Sequence, residues 1–181
     1  MMSSSDLIKR WLTEVSVKSR GQVIDAIRRH ADWAAPLRSL PGACEIRHYE
    51  DLRGIDLTGE ILDGADLHFA TLDLAKCDNC QLVGANLQCA SMRAASFRKS
   101  KLNRANLVEV NAVGSVFDDA DLRSAQAMSA NFSGASFINA DLRSAALSNA
   151  NCEYAQFEGA KLDSADLYGC NLSHTVLEKS R

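Results

Sequence analysis

The chain has 181 residues, 24% of them charged, and a formal net charge of -3 at pH 7, which allows one domain with a substantial core and a short extension. That balance excludes the strongly basic composition of a general nucleic-acid binder, so direct nucleic-acid binding is not expected. Met1 to Arg20 holds no charged start followed by an apolar run and a small-residue cleavage site, and no apolar stretch approaches membrane-spanning length; these features point to a soluble, cytoplasmic protein without a membrane span.

The first 35 residues read as a helical cap. Ser4 or Ser5 can cap a helix whose apolar face is Leu7, Ile8, Trp11, Leu12 and Val15, spaced three or four apart. A second short helix is expected around Gln22 to Ala31, with Val23, Ile24 and Ile27 apolar. Both prolines, Pro36 and Pro41, mark a linker within residues 36–49. Covering an open solenoid end is one role for these helices. A second role uses Lys9, Arg10, Lys18, Arg20, Arg28 and Arg29 to touch a membrane surface, nucleic acid or an acidic partner.

From residue 50 to residue 178 the chain repeats every five residues without a break, as in GADLH, GANLQ, RANLV, DADLR, GASFI and SADLY. Counting from Leu52 to Leu177 gives 26 large positions, 16 of them Leu and 5 Phe, each preceded at two residues' distance by a small position that is Ala in 17 of 26 cases. A period of five fits neither a helix nor an ordinary strand. It fits a chain that turns a corner once per repeat, sending one large and one small side chain inward. This pattern resembles the pentapeptide-repeat family. The resemblance implies an all-β solenoid, a right-handed quadrilateral parallel β-helix with four repeats to a coil and about 6.5 coils over residues 50–178.

Four repeats per coil predicts that residues twenty apart stack. The large positions sort accordingly into an all-leucine column, Leu62 to Leu162, and a column with Phe97, Phe117, Phe137 and Phe157 in succession. Asn111, Asn131, Asn151 and Asn171 align just before the large position, where amide side chains can form a hydrogen-bonded ladder. The glycines Gly54, Gly59, Gly64, Gly84, Gly114, Gly134, Gly159 and Gly169 all fall at the expected corner. The repeats run to Leu177, so either a monomer or a homodimer through an uncapped C-terminal coil is expected.

No catalytic set, cofactor or metal site is read from the chain, and an enzyme is not expected. Its six cysteines lack secretory context, which argues against a disulfide framework. Cys77 and Cys80 form a CxxC but occupy a large and a small inward position, so core packing is expected there and a Cys-based metal site is the alternative. The four histidines have no ligand spacing, and no glycine-rich phosphate loop occurs.

Charge is the surface's main feature. Residues 1–49 hold 8 Lys or Arg and 5 Asp or Glu, whereas residues 50–181 hold 12 and 18. The expected function is that of a rigid, non-catalytic scaffold presenting a charged face to a protein partner. The family resemblance implies a more specific version, a DNA mimic, since quinolone-resistance and toxin-immunity members occupy the DNA-binding saddle of gyrase or topoisomerase IV. The candidate acidic face is Asp56, Asp78, Asp118, Asp119, Glu158 and Glu178, beside the Phe column, and a basic belt of Arg93, Arg98, Lys99, Lys101 and Arg104 interrupts it. A mixed surface that is merely solvated is the alternative reading.

Overall fold

The computed structural model describes residues 51–180; the expected helical cap and the proline-bounded linker lie outside them. Every five-residue unit has one local geometry. The residue before the large one forms a parallel bridge with the residue twenty positions on, from Asp51 with Thr71 to Gln156 with Val176. The large residue then opens a tight turn in which its carbonyl accepts the amide three residues later, as when Ile55 N donates to Leu52 O at 3.1 Å. The third residue of that turn has φ between 52 and 77° at every corner from Gly54 to Lys179, as a type II turn requires.

Eighteen of these corner residues are not glycine, although the left-handed region costs an L-residue about 1 kcal/mol or more. Hydrogen bonds between coils hold them there. Leu72 N donates to Ser91 O at 2.6 Å and the corner residue Leu74 N to Arg93 O at 2.9 Å, while Lys76 N donates to Ile55 O of the preceding coil at 2.8 Å. With the turn amide already paired, this leaves one amide per repeat without a backbone acceptor from Leu72 to Ala160, that of the residue after the large one. Burying such a group unpaired would cost about 1–3 kcal/mol. Side chains take over that role.

Inside, the large and small columns form one continuous core. Leu62, Leu82, Leu102, Leu122 and Leu142 are all buried, and Phe97, Phe117, Phe137 and Phe157 are buried beside them. The Phe rings stack face on, with centroids 5.3, 5.0 and 5.0 Å apart. Phe132 stands in another column, directly after Ala112, and meets Phe117 and Phe137 edge on at 5.8 and 5.1 Å. The small side chain of Ala112 makes room for that ring. Ser100 and Ser115 fill buried small positions and donate their hydroxyls to the carbonyls of Phe97 and Met92, so neither carries an unpaired polar atom.

Cys77 and Cys80 are both buried in this core, and the Cys80 thiol donates to Leu57 O at 2.8 Å. The hydrogen bond with Cys80 and burial push the Cys77 thiol well above its ordinary range, which keeps it protonated and unreactive. A second pair, Cys152 and Cys170, brings two sulfurs within 3.5 Å of each other. Among the described residues no group of three or more His, Cys, Asp or Glu could hold a metal ion, and no helix is long and apolar enough to cross a membrane.

Candidate interaction faces

The twenty-residue register gives the coil four sides, and each side shows the residues just before and just after its large position. The first face follows Leu52, the second Leu57, the third Leu62 and the fourth Leu67. On all four, much of the acidic and amide content serves the amide left over by the five-residue period. Two devices do this. In one, an Asp or Asn before the large position accepts the amide two residues on, as Asp56 does from Thr58 N at 3.0 Å and Asn106 from Val108 N at 3.1 Å. In the other, an Asp after the large position accepts the equivalent amide of the next coil. Asp73 takes Arg93 N and Asp78 takes Arg98 N, each at 2.9 Å, and Asp118 takes Ile138 N at 3.2 Å. The same three carboxylates also accept the hydroxyls of Ser91, Ser96 and Ser136.

The second face contains all six expected acidic residues. Asp56, Asp78 and Asp118 are engaged in these backbone contacts. Asp119 stands exposed at a corner with φ 58°. Glu158 lies 3.8 Å from Lys179, and Glu178 is exposed at the end of the row. Basic residues share the face: Arg98 approaches Asp118 at 3.7 Å, and Lys99 is exposed at the neighbouring corner. The basic belt is thus distributed over three sides. Arg93 lies on the first face 3.3 Å from Asp73, Arg98 and Lys99 on the second, and Lys101 and Arg104 on the third.

The aligned asparagines form a ladder over part of its length. Asn151 donates to Asn131 at 3.4 Å and Asn171 to Asn151 at 3.1 Å, whereas the Asn111 side-chain oxygen is buried without a partner. A second ladder runs along the fourth face from Asp66 through Asn86 to Asn106, at 2.9 and 3.1 Å. The twenty-residue alignment of Asp66, Asn86 and Asn106 is the sequence signal that identifies it. Among the described residues that fourth face shows Asp66, Glu109 and Asp166 and no Lys or Arg.

The third face repeats an Asp-Leu-Arg pattern that occurs once on the first face, where Arg53 clamps Asp51. Arg123 clamps Asp121 through Nε at 2.8 Å and Nη2 at 2.7 Å, and Arg143 clamps Asp141 at 2.8 and 2.6 Å. The hydrogen bond from each guanidinium holds its aspartate below the usual carboxylate range. Beside these pairs runs a shallow groove of about 430 Å³ lined by Arg104, Arg123, Arg143 and the corner residues Ser124 and Ser144, among others. This arrangement follows from Asp and Arg recurring at positions 121, 123, 141 and 143, twenty residues apart.

The sequence matches the family described as Pentapeptide repeats in eight copies, in overlapping segments that together run from residue 51 to residue 178. No curated protein matches it. Among solved structures, it is similar to a trypsin-treated variant of QnrB1, a plasmid-mediated fluoroquinolone resistance protein, at 19% identity over 69% of each chain with a TM-score of 0.43. It is similar also to HetL, a pentapeptide repeat protein involved in heterocyst differentiation regulation from the cyanobacterium Nostoc sp. strain PCC 7120, at 24% identity over 73% of this chain and 89% of that one, with a TM-score of 0.27. A pentapeptide repeat protein from the Arabidopsis thaliana thylakoid lumen aligns at 24% identity over 51% and 65% of the two chains, with a TM-score of 0.35. The chain belongs to the pentapeptide-repeat family, whose members form right-handed β-helices.

Proposed function

We propose that this chain is a non-catalytic scaffold, a rigid rod that presents charged faces to a protein partner. The observation that carries this reading is the division of labour within each repeat. Inward positions are buried from Leu62 to Ala160, and outward positions bear the charge on nearly flat sides. Such a surface offers an extended area whose charge pattern can select a partner. In this reading residues 50–178 are a quadrilateral coil of about 6.5 turns, residues 1–35 cap it, residues 36–49 join the two, and the protein works in the cytoplasm as a monomer or a homodimer.

The finer version names the partner as a type II topoisomerase, with the second face standing in for duplex DNA. It is supported by the acidic balance of the repeats and by the exposed carboxylates of Asp119, Glu158 and Glu178 on one side. A row of carboxylates set against a basic groove replaces phosphates electrostatically. A supercoiling assay with purified gyrase and topoisomerase IV, with and without a quinolone, tests it. Inhibition or protection at micromolar protein, weakened when Asp119, Glu158 and Glu178 are changed to Lys, is the expected result. Unchanged supercoiling at that concentration removes the topoisomerase version and leaves the scaffold reading to be tested on other partners.

A further inference from the structure

We infer that the groove on the third face is a binding site for a short acidic segment of a partner protein, an extended stretch with two or three Asp or Glu side chains held by Arg104, Arg123 and Arg143. The side-on clamps use Nε and one Nη2 hydrogen of each of Arg123 and Arg143. A guanidinium has five N–H donors, so each of these arginines keeps donors in reserve. The clamp also fixes its orientation, so little further side-chain entropy is lost when a second anion arrives. Arg104 lines the same groove, and its side chain makes no hydrogen bond or ion pair among the described residues. The hydroxyl-bearing corners Ser124 and Ser144 complete the polar wall.

The pattern along the face sets the size of the ligand. Asp63 lies two coils before Asn103 on the same column and Asp163 itself lines the far end of the groove, so the stretch that holds Arg104 and the spare donors of Arg123 and Arg143 is bounded by a carboxylate on either side. At about 4.8 Å per coil, the stretch from Arg104 to Arg143 spans roughly 10 Å, the length of about three residues of extended peptide. Alternate side chains of such a peptide lie about 7 Å apart on one side, which lets two carboxylates reach arginines on different coils. A long polyanion would run onto Asp63 and Asp163 and along a rod with 17 Asp or Glu against 11 Lys or Arg in residues 51–180. Those features favour a short acidic peptide over nucleic acid. The site lies on a different face from the acidic row, so its failure would leave the scaffold and topoisomerase readings untouched.

The test is fluorescence anisotropy with a fluorescein-labelled hexapeptide, Gly-Glu-Asp-Glu-Asp-Gly, titrated with the full chain at low ionic strength. Saturable binding is expected, weakened about tenfold or more by Arg104→Gln and by Arg143→Gln, reduced by added salt and tightened by Asp163→Asn. Arg104→Gln removes no hydrogen bond or ion pair among the described residues, so it keeps the test valid if Arg143→Gln unfolds, and a thermal melt of each variant separates the two effects. Absence of saturable binding, or wild-type binding by Arg104→Gln, overturns the proposal. A single-stranded DNA oligonucleotide that binds more tightly than the peptide, and loses affinity in Arg104→Gln, overturns it in favour of a nucleic-acid site.

Discussion

At the scale of single residues, the corner decides what each position tolerates. Gly114 and Gly159 have φ of 67 and 69°, yet a Cβ added at Gly114 meets nothing within 4 Å, whereas at Gly159 it comes within 2.5 Å of the Asn139 side-chain oxygen. Gly114→Ala therefore carries only the backbone cost of the left-handed region, about 1 kcal/mol. Gly159→Ala adds the displacement of Asn139 and is expected to destabilise further. Urea unfolding of the two variants checks the order, and equal midpoints would show that Asn139 moves aside freely. The αL corner was legible from the glycine spacing, but Leu74, Tyr154 and Arg104 occupy it as well, and their side chains carry no sign of that conformation. Hydrogen bonding to adjacent coils, a property of the stack and not of the residue, holds them there.

The elements of this fold are columns, and each column has its own energetics. Phe117 is buried between two stacked rings and touches a third edge on. Phe117→Ala removes all of these contacts and leaves a cavity next to Ala112, so a loss of about 3–5 kcal/mol is expected by denaturant titration. A loss below about 1 kcal/mol would show that neighbouring rings close the gap. The Asp121 and Asp141 columns make stability depend on pH. Their folded-state carboxyls, held down first by the arginine hydrogen bonds, ionise more readily than in the unfolded chain. Their contribution is present above the ordinary carboxylate range, about pH 4, and is lost as pH falls through the lowered folded values. Thermal melts from pH 6 to about pH 2 should show this decline, and it should be shallower in Asp121→Asn/Asp141→Asn. Identical pH profiles for the variant and the parent would mean that solvent screening cancels the effect at these partly exposed pairs. The Phe and Leu columns could be read by sorting every twentieth residue. The aspartate contacts were less accessible, because the role of Asp73, Asp78 or Asp118 appears only once the unpaired amide of the following coil is known.

At the scale of the whole molecule, two registers operate together, five residues for what points inward and twenty for what lies on which side. The candidate faces depend on the second. Asp119 and Glu158 share a side only because their corners and flanks fall in one twenty-residue frame, and Arg104, Arg123 and Arg143 share a groove for the same reason. Removing one repeat separates the two registers. Without residues 111–115 the inward alternation of large and small side chains continues, but everything downstream turns by one side. Phe97 then stacks beneath Leu122 instead of Phe117, and Arg104 leaves the side that holds Arg123 and Arg143. Since each coil contacts only its neighbours, the mismatch is confined to one seam, where a lost ring stack costs about 0.5–1.5 kcal/mol beyond area burial. The shortened chain should therefore still unfold cooperatively, at a lower temperature than the parent, and should no longer bind the acidic hexapeptide. If it fails to fold, column matching and not the five-residue pattern specifies this solenoid; if it folds and binds as before, the three arginines do not act as one site.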